Sequence, residues 1–264
     1  PGTLAGRRFP TSVMSVPASF DLQDRRILVT GASRGIGEAL ARGLAACGAR
    51  VAVAARDTTS LQRVAGDIRA SGGIAEVVTM DVSDVASIRA GVADAAARLG
   101  GLDVLVNNAG VEQVCPSLEV DESLWDRIVD TNLKGAFFCA QAAARGMRDR
   151  RQAGAIINLC SLTSEVGIPT AVPYGASKTG VLGMTRALST EWAPLGIRVN
   201  AIGPGYFRTA MTEVFYQNEA WQQAMMAKIP SGRFGQFDDL LGACVFLASE
   251  ASRYVTRQCL YVDG

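Results

Sequence analysis

The 264-residue chain contains no histidine. That excludes serine–histidine triads, histidine-based zinc sites and imidazole acid–base catalysis, so proton chemistry must come from Tyr, Lys, Asp, Glu or Cys. Charge of one sign is also lacking. Lys+Arg number 26 and Asp+Glu 25, without the basic excess expected of a nucleic-acid or membrane-surface protein. No apolar run reaches the ~18 residues that span a bilayer. The six cysteines, at positions 47, 115, 139, 160, 244 and 259, include no Cys-x-x-Cys pair. They read as reduced core thiols of a cytoplasmic protein, with no metal expected. Cys160 falls near the expected chemistry, where its thiol could be sensitive to oxidation, although plain packing accounts for it as well.

With 48% apolar residues, the chain can bury a substantial core and fits one large α/β domain better than two small ones. Residues 1–20 show no helical or strand period and carry Arg7-Arg8 without an acid. They read as a leader, an expression remnant or upstream read-through, with Met14 a natural start and an organelle transit peptide the alternative. From residue 21 to 264 strands and helices alternate. Strands are predicted at 27–30, 51–54, 75–80, 104–106, 155–159, 197–202 and 259–262. Between them run amphipathic patterns, including one long helix over about 122–147 and another starting near Tyr174, with Pro173 at its entry. This alternation predicts a doubly wound parallel sheet of about seven strands, a single-domain Rossmann fold with helices on both faces.

Thr30-Gly31-Ala32-Ser33-Arg34-Gly35-Ile36-Gly37 lies between the first strand and first helix. Small residues there let backbone approach a pyrophosphate, and the helix start offers free N–H groups. The spacing Gly-x-x-x-Gly-x-Gly departs from the commoner Gly-x-Gly-x-x-Gly, but its strand–loop–helix context favours a dinucleotide over a plain helix-entry turn. After the second strand stands Arg56, where NAD-binding proteins place an acid for the ribose 2′-hydroxyl. Arg34 can approach the same spot, and two guanidiniums suit a 2′-phosphate, so NADP(H) is expected over NAD(H); the alternative is that Arg56 is a solvated loop residue. Asp81-Val82 and Asn107-Asn108-Ala109-Gly110 end the third and fourth strands, on the rim where open α/β sheets bind ligands. Their polar groups could cap backbone donors or hold adenosine. Asn132 shares a helical stripe with Leu124 and Ile128, and a buried amide needs a partner; a water-linked bond toward Lys178 is the expectation. Ser161 ends the fifth strand, and its hydroxyl could bond a substrate carbonyl. Tyr174 and Lys178, four apart, share one helix face. A cation beside the phenol should lower its pKa from ~10 and make it a usable proton donor and acceptor.

Taken together, Thr30-Gly31-x-x-x-Gly35-x-Gly37, Asn107-Asn108-Ala109-Gly110, Asn132, Ser161, Tyr174-x-x-x-Lys178, Pro204-Gly205 and Thr209 resemble the short-chain dehydrogenase/reductase family, from about Asp21 to Gly264. The resemblance implies hydride transfer between a nicotinamide and a carbonyl or secondary alcohol. It also implies a homotetramer or homodimer built through the helices of Asn132 and Tyr174. It casts Tyr174 as the acid/base, Lys178 as its pKa-lowering neighbour and ribose ligand, Ser161 as the carbonyl-positioning group and Asn132 as holder of a relay water. Phe207 and Thr209 would bracket the nicotinamide, beside a mobile lid over 206–228 carrying Phe215, Tyr216 and Trp221.

Within the family, the segments 158–167 and 203–209 are most similar to gluconate 5-dehydrogenases and related polyol dehydrogenases, implying a sugar acid or polyol. The 3-oxoacyl-carrier-protein reductases come second. Those usually place a basic residue just before the segment equivalent to Gly196–Asn200, where this chain has Pro194-Leu195. Arg145, Arg148, Arg150 and Arg151 could still form a basic patch for a carrier, or simply a solvated helix end. A third reading, of another class, is a catalytically silent NADP-binding regulatory protein; an intact Asn132, Ser161, Tyr174 and Lys178 weighs against it.

Overall fold

The computed structural model describes residues 18–209 and 212–264. Seven parallel strands form one sheet, β1 (Arg26–Thr30), β2 (Arg50–Ala55), β3 (Ile74–Thr79), β4 (Val104–Asn107), β5 (Gly154–Leu159), β6 (Ile197–Pro204) and β7 (Cys259–Val262), in the order β3-β2-β1-β4-β5-β6-β7. The predicted strand and helix alternation therefore builds the single-domain Rossmann sheet expected. Side chains alternate across each strand: Ile27 and Val29 enter one core while Leu28 enters the other, the two-residue period of a sheet covered on both faces. The first core is closed by α1 (Gly35–Ala46), α2 (Thr58–Ala70) and, from the end of the chain, Phe237–Ala248, through Leu40, Leu44, Leu61, Val64, Leu240 and Leu247. The second is closed by α3 (Val85–Leu99), α5 (Gly135–Asp149) and α6 (Val172–Trp192), with α4 (Glu122–Val129) packed on α6. Each fully buried large side chain contributes about 1.5–3 kcal/mol.

The predicted helix over 122–147 is a rod interrupted by one π-helical turn, Asp130–Lys134, which holds Asn132. Such turns occur where a side chain must be re-aimed. Pro173 stands in the first turn of α6, as predicted. A buried polar chain ties the layers. Asn107 donates to Asn158 Oδ1 (2.9 Å) and to the Ala136 carbonyl (2.9 Å), and Asn158 donates to Thr185 Oγ1 (2.9 Å). These bonds fix β4, β5, α5 and α6 relative to one another beside the crevice.

Met14 and most of the expected leader lie outside the described residues. Phe20, which the sequence assigns to that leader, instead packs on Phe246, ring centroids 6.1 Å apart. The expected lid contains α7 (Glu213–Tyr216) and α8 (Glu219–Met226), and in it Tyr216 and Trp221 meet edge-on at 5.3 Å, with Phe234 4.8 Å from Tyr216. Of Phe215 only its place in α7 is described. No described helix is long and apolar enough to cross a membrane. All six cysteines are free.

Candidate active site

The crevice lies at the carboxyl ends of β1 and β4, where strand order reverses and open α/β sheets bind ligands. Gly31 has a left-handed φ of +66°, and a Cβ there would sit 2.7 Å from Ala109 Cα. A Cβ on Gly37 would come within 2.3 Å of Asn108 Nδ2 and 2.4 Å of the Gly31 carbonyl. These two glycines let the loop after β1 nest against Asn108-Ala109-Gly110. Thr30 Oγ1 accepts the N–H groups of Asn108 (3.1 Å) and Ala109 (3.0 Å), while Asn108 Nδ2 donates to the Thr30 carbonyl (2.9 Å) and the Gly31 carbonyl (3.2 Å). Asn108 is thus a strut between loops.

The first turn of α1 has no side-chain cap: Arg34 occupies the cap position, extended, with its side chain unbonded to the turn. Gly35 lies near Thr209, a built Cβ reaching the threonine only at 4.0 Å. Small residues, uncapped donors and a positive helix end fit a pyrophosphate. Arg63 steadies the loop by donating to the Ser33 carbonyl (3.3 Å) and to Glu38 (2.7 Å).

At the edge beyond β2, Arg56 is exposed and stands 3.9 Å from Asp81. The neighbouring acid, Asp57, caps α2, accepting Ser60 N (3.1 Å) and Ser60 Oγ (2.6 Å). Those bonds, with a smaller contribution from Arg34, hold its carboxyl below the usual range. Asp57 is therefore committed to the helix, while Arg34 lies close enough to act on its carboxyl and Arg56 stands exposed beside Asp81. Asp81 also caps its own turn through Ser83 N (2.9 Å). Behind it, a Cβ on Gly135 would lie 2.4 Å from the Val82 carbonyl, so α5 begins with glycine where the β3 loop crosses it.

On the other side of the crevice, Lys178 is 5% exposed; its Nζ donates to the Leu159 carbonyl at 2.7 Å and stands 5.6 Å from the Tyr174 ring centroid. Ser161, two residues past β5, caps the short turn Leu162–Ser164 by accepting Thr163 N (3.2 Å), and turns its hydroxyl to the Tyr174 phenol. Tyr174, Lys178 and Ser161 thus meet as the sequence predicts. The proton affinity does not follow it. Burial raises the phenol well above its ordinary value, Glu112 adds to the rise, and Ser161 opposes it. Burial also lowers Lys178, partly offset by Cys160 and Glu112. The lowering of Tyr174 expected from Lys178 is therefore not found: burial disfavours the phenolate, and the group that opposes the rise is the Ser161 hydroxyl.

Asn132 is held by direct bonds. Its Oδ1 accepts Val111 N (2.8 Å), and its Nδ2 donates to the Val111 carbonyl (2.9 Å) and Ser177 Oγ (3.1 Å). The side chain clamps the loop after β4 to the helix of Tyr174. Phe207, expected beside the nicotinamide, is 4% exposed with its ring in the core against Gly235. Thr209 bonds Thr212, whose hydroxyl donates to the Phe207 carbonyl (2.8 Å). Gly205 is pressed against Asp263, 2.7 Å from a built Cβ, just after Pro204 ends β6. Cys160 is buried, and its thiol is pushed far up by Cys259 and by burial, which makes it packing rather than a nucleophile. The residue the sequence gives no motif for is Glu112, whose carboxyl burial raises above its usual value with Lys178 opposing, and which in turn raises Tyr174. Its only signal is a lone acid after the apolar end of β4.

Comparison with known proteins agrees with this geometry. The family profile described as enoyl-(acyl carrier protein) reductase matches residues 31–264. A gluconate 5-dehydrogenase of Gluconobacter oxydans is 41% identical over 251 residues, covering 95% of this chain and 98% of the relative. A solved Sinorhizobium meliloti 1021 protein, classed with the short-chain alcohol dehydrogenases, is 60% identical with a TM-score of 0.90, covering 93% of this chain and 97% of that one. A gluconate 5-dehydrogenase of Burkholderia cenocepacia J2315, solved with NADP and tartrate, superposes with a TM-score of 0.91 at 40% identity, covering 94% and 96%. The chain belongs to the short-chain dehydrogenase/reductase family. It is an oxidoreductase that acts between an alcohol and a carbonyl group with a nicotinamide dinucleotide.

Proposed function

We propose that this enzyme uses NADP(H) in preference to NAD(H) and interconverts a polyhydroxylated secondary alcohol, a sugar acid or polyol, with its ketone. The observation that carries the reaction is the convergence of Tyr174, Ser161 and Lys178 at the carboxyl edge of β5, beside Gly110. When bound, the dinucleotide supplies or accepts the hydride. Ser161 donates a hydrogen bond to the substrate oxygen and sets its position. Tyr174, held protonated by burial, gives its proton to that oxygen as alkoxide character develops, and Lys178 stabilises the phenolate left behind. In oxidation the same groups run in reverse. Gly31, Ser33, Gly35, Ile36 and Gly37 would hold the pyrophosphate, Asp81, Val82 and Asn108–Gly110 the adenosine side, and Lys178, Pro204, Gly205 and Thr209 the nicotinamide side.

Support for NADP(H) is the pair Arg34 and Arg56 at an edge whose acid, Asp57, is already occupied by Ser60. The relatives solved or named with gluconate support the polyol or sugar-acid reading. Carrier-protein reduction is the weaker reading: Arg148 pairs with Asp149, and Arg150 bonds Gln152 (3.0 Å) and the Leu102 carbonyl (3.2 Å). Free thiols fit the cytoplasm. Exposed Ala176, Gly183 and Ala187 on α6 fit packing against a second copy, which light scattering would count. The deciding experiment is steady-state kinetics on polyols, keto-sugar acids and acetoacetyl thioesters with NADPH and with NADH. Comparable efficiency with NADH ends the cofactor reading, and turnover confined to thioesters ends the substrate reading.

A further inference from the structure

Two loops form the substrate side of Tyr174, residues 111–120 and 161–172, clasped by a bond from Cys115 N to the Thr170 carbonyl (2.8 Å). Thr170, a β-branched residue, is held at φ +67° to make that clasp, an uncommon backbone state kept where geometry is over-determined. The first loop is fixed at its root by the Asn132 clamp on Val111. A Cβ built on Gly110 would lie 3.7 Å from Lys178 Nζ, so the next residues pass directly beside the proton-transfer pair. There Glu112, two residues past Gly110, is half-buried, and no hydrogen bond ties its carboxyl to another described residue; burial raises the carboxyl and the Lys178 charge opposes that rise.

The cations that could receive an acidic substrate are missing from these loops. Residues 111–120 and 161–172 contain no lysine or arginine. Glu165, the acid of the second loop, accepts the Tyr261 hydroxyl (2.9 Å) and so is engaged. Arg127 reaches the first loop only at Gln113, to whose side-chain carbonyl it donates. Arg208, in the segment over the crevice, is held by Glu213 (2.6 Å) and lies over the Tyr216 ring. A half-buried carboxylate without a partner repels a second carboxylate and accepts strong hydrogen bonds from hydroxyls.

We propose that Glu112 is a specificity-determining residue that selects neutral polyhydroxylated substrates, sugars or alditols, over sugar acids. The proposal rests on the polyol or sugar-acid reading above and divides it. D-Glucitol and D-gluconate differ only at C1, a primary alcohol in one and a carboxylate in the other. With the full chain and NADP, kcat/KM is expected to favour D-glucitol by about tenfold or more. Glu112→Gln should shrink that ratio by about tenfold, mostly through faster D-gluconate turnover, and Glu112→Asp should keep the preference. Unchanged NADPH affinity and thermal midpoint would show that both variants fold. Wild-type preference for D-gluconate, or a Glu112→Gln ratio within about twofold of wild type, overturns the proposal. If neither polyol reacts, the substrate reading itself fails. The role of Glu112 is then read from ethyl acetoacetate against acetoacetate reduction, where a ratio insensitive to Glu112→Gln overturns it equally.

Discussion

Replacing Asn132 by alanine tests whether the site is assembled by that amide. The side chain is 1% exposed and makes three hydrogen bonds, two to Val111 and one to Ser177. Leaving a buried group unpaired costs about 1–3 kcal/mol. Val111 is only half-buried, so water can partly rescue its N–H and carbonyl, and alanine regains about 0.5 kcal/mol of helix propensity. A net loss of about 2–3 kcal/mol follows, which in a chain of this size lowers the thermal midpoint by about 5–10 °C. Freeing the loop that carries Glu112, and Ser177 behind Tyr174, should also reduce kcat/KM by about 10–100-fold, since small misplacements at a reacting centre are costly.

Calorimetry and steady-state kinetics on the same preparation would measure both. Asn132→Asp separates hydrogen bonding from shape. It keeps the acceptor for Val111 N but sets a carboxylate oxygen against the Val111 carbonyl, so it should be at least as damaging as alanine at neutral pH. An alanine variant within about 1 °C of wild type and with unchanged kcat/KM would refute the clamp.

Tyr174→Phe should lower turnover by about 10²–10⁴-fold while NADPH titration by fluorescence stays within about threefold, because the phenol moves a proton and is not needed for affinity. Since Tyr174 is raised above its usual value, the proton donor persists through neutral pH. The reductive kcat should hold level past the ordinary tyrosine value of ~10 and then fall, while the oxidative rate climbs; a reductive rate already falling through neutral pH would contradict the raised phenol. Asp103 lies at the opposite, amino end of β4. Burial alone would raise its carboxyl, but bonds from Arg26 Nε (2.8 Å) and N (2.9 Å) bring it below the usual range. A depressed carboxyl stabilises the fold above its unfolded value of ~3.9 and loses that contribution as pH falls through the folded value. Asp103→Asn should cost about 1–3 kcal/mol in urea unfolding at neutral pH, with a smaller deficit in acid and no change in activity per folded molecule.

The strands were legible because each is a short apolar run bounded by glycine or polar residues, and β7 begins and ends where the pattern places it. Tyr174 and Lys178 were legible because helical spacing alone puts them on one face. Asn132 was legible as a buried amide but not in its partners: the π-helical turn that re-aims it has no sequence signature. The sign of the Tyr174 shift was hidden for a related reason. Spacing shows the ammonium, whereas burial and the Glu112 carboxyl come from other loops. The family resemblance casts Phe207 as a site aromatic, yet Gly235, distant in the chain, makes the space that takes its ring inward. Contacts within one element could be read, and contacts set by a meeting of loops could not.

That division also says where this enzyme differs from others built on the same sheet. Proton transfer is fixed by elements anchored in the core: Lys178 is pinned to the end of β5 through Leu159, and the Asn107–Asn158–Thr185 chain keeps β5 and α6 in step. The loop after β4 is joined to this frame by the Asn132 clamp on Val111 and by the Cys115–Thr170 clasp. Residues 112–114 between those points can therefore change without moving Tyr174, and a carboxylate there alters which substrate is held while the phenol and ammonium keep their places. Charge selection and proton chemistry should then separate in mutants: Glu112 variants change ratios between substrates, and Asn132 variants lower all of them together. An Asn132→Ala enzyme with a changed neutral-to-acidic substrate ratio but full activity on one of the pair would show that the two functions share a single support after all.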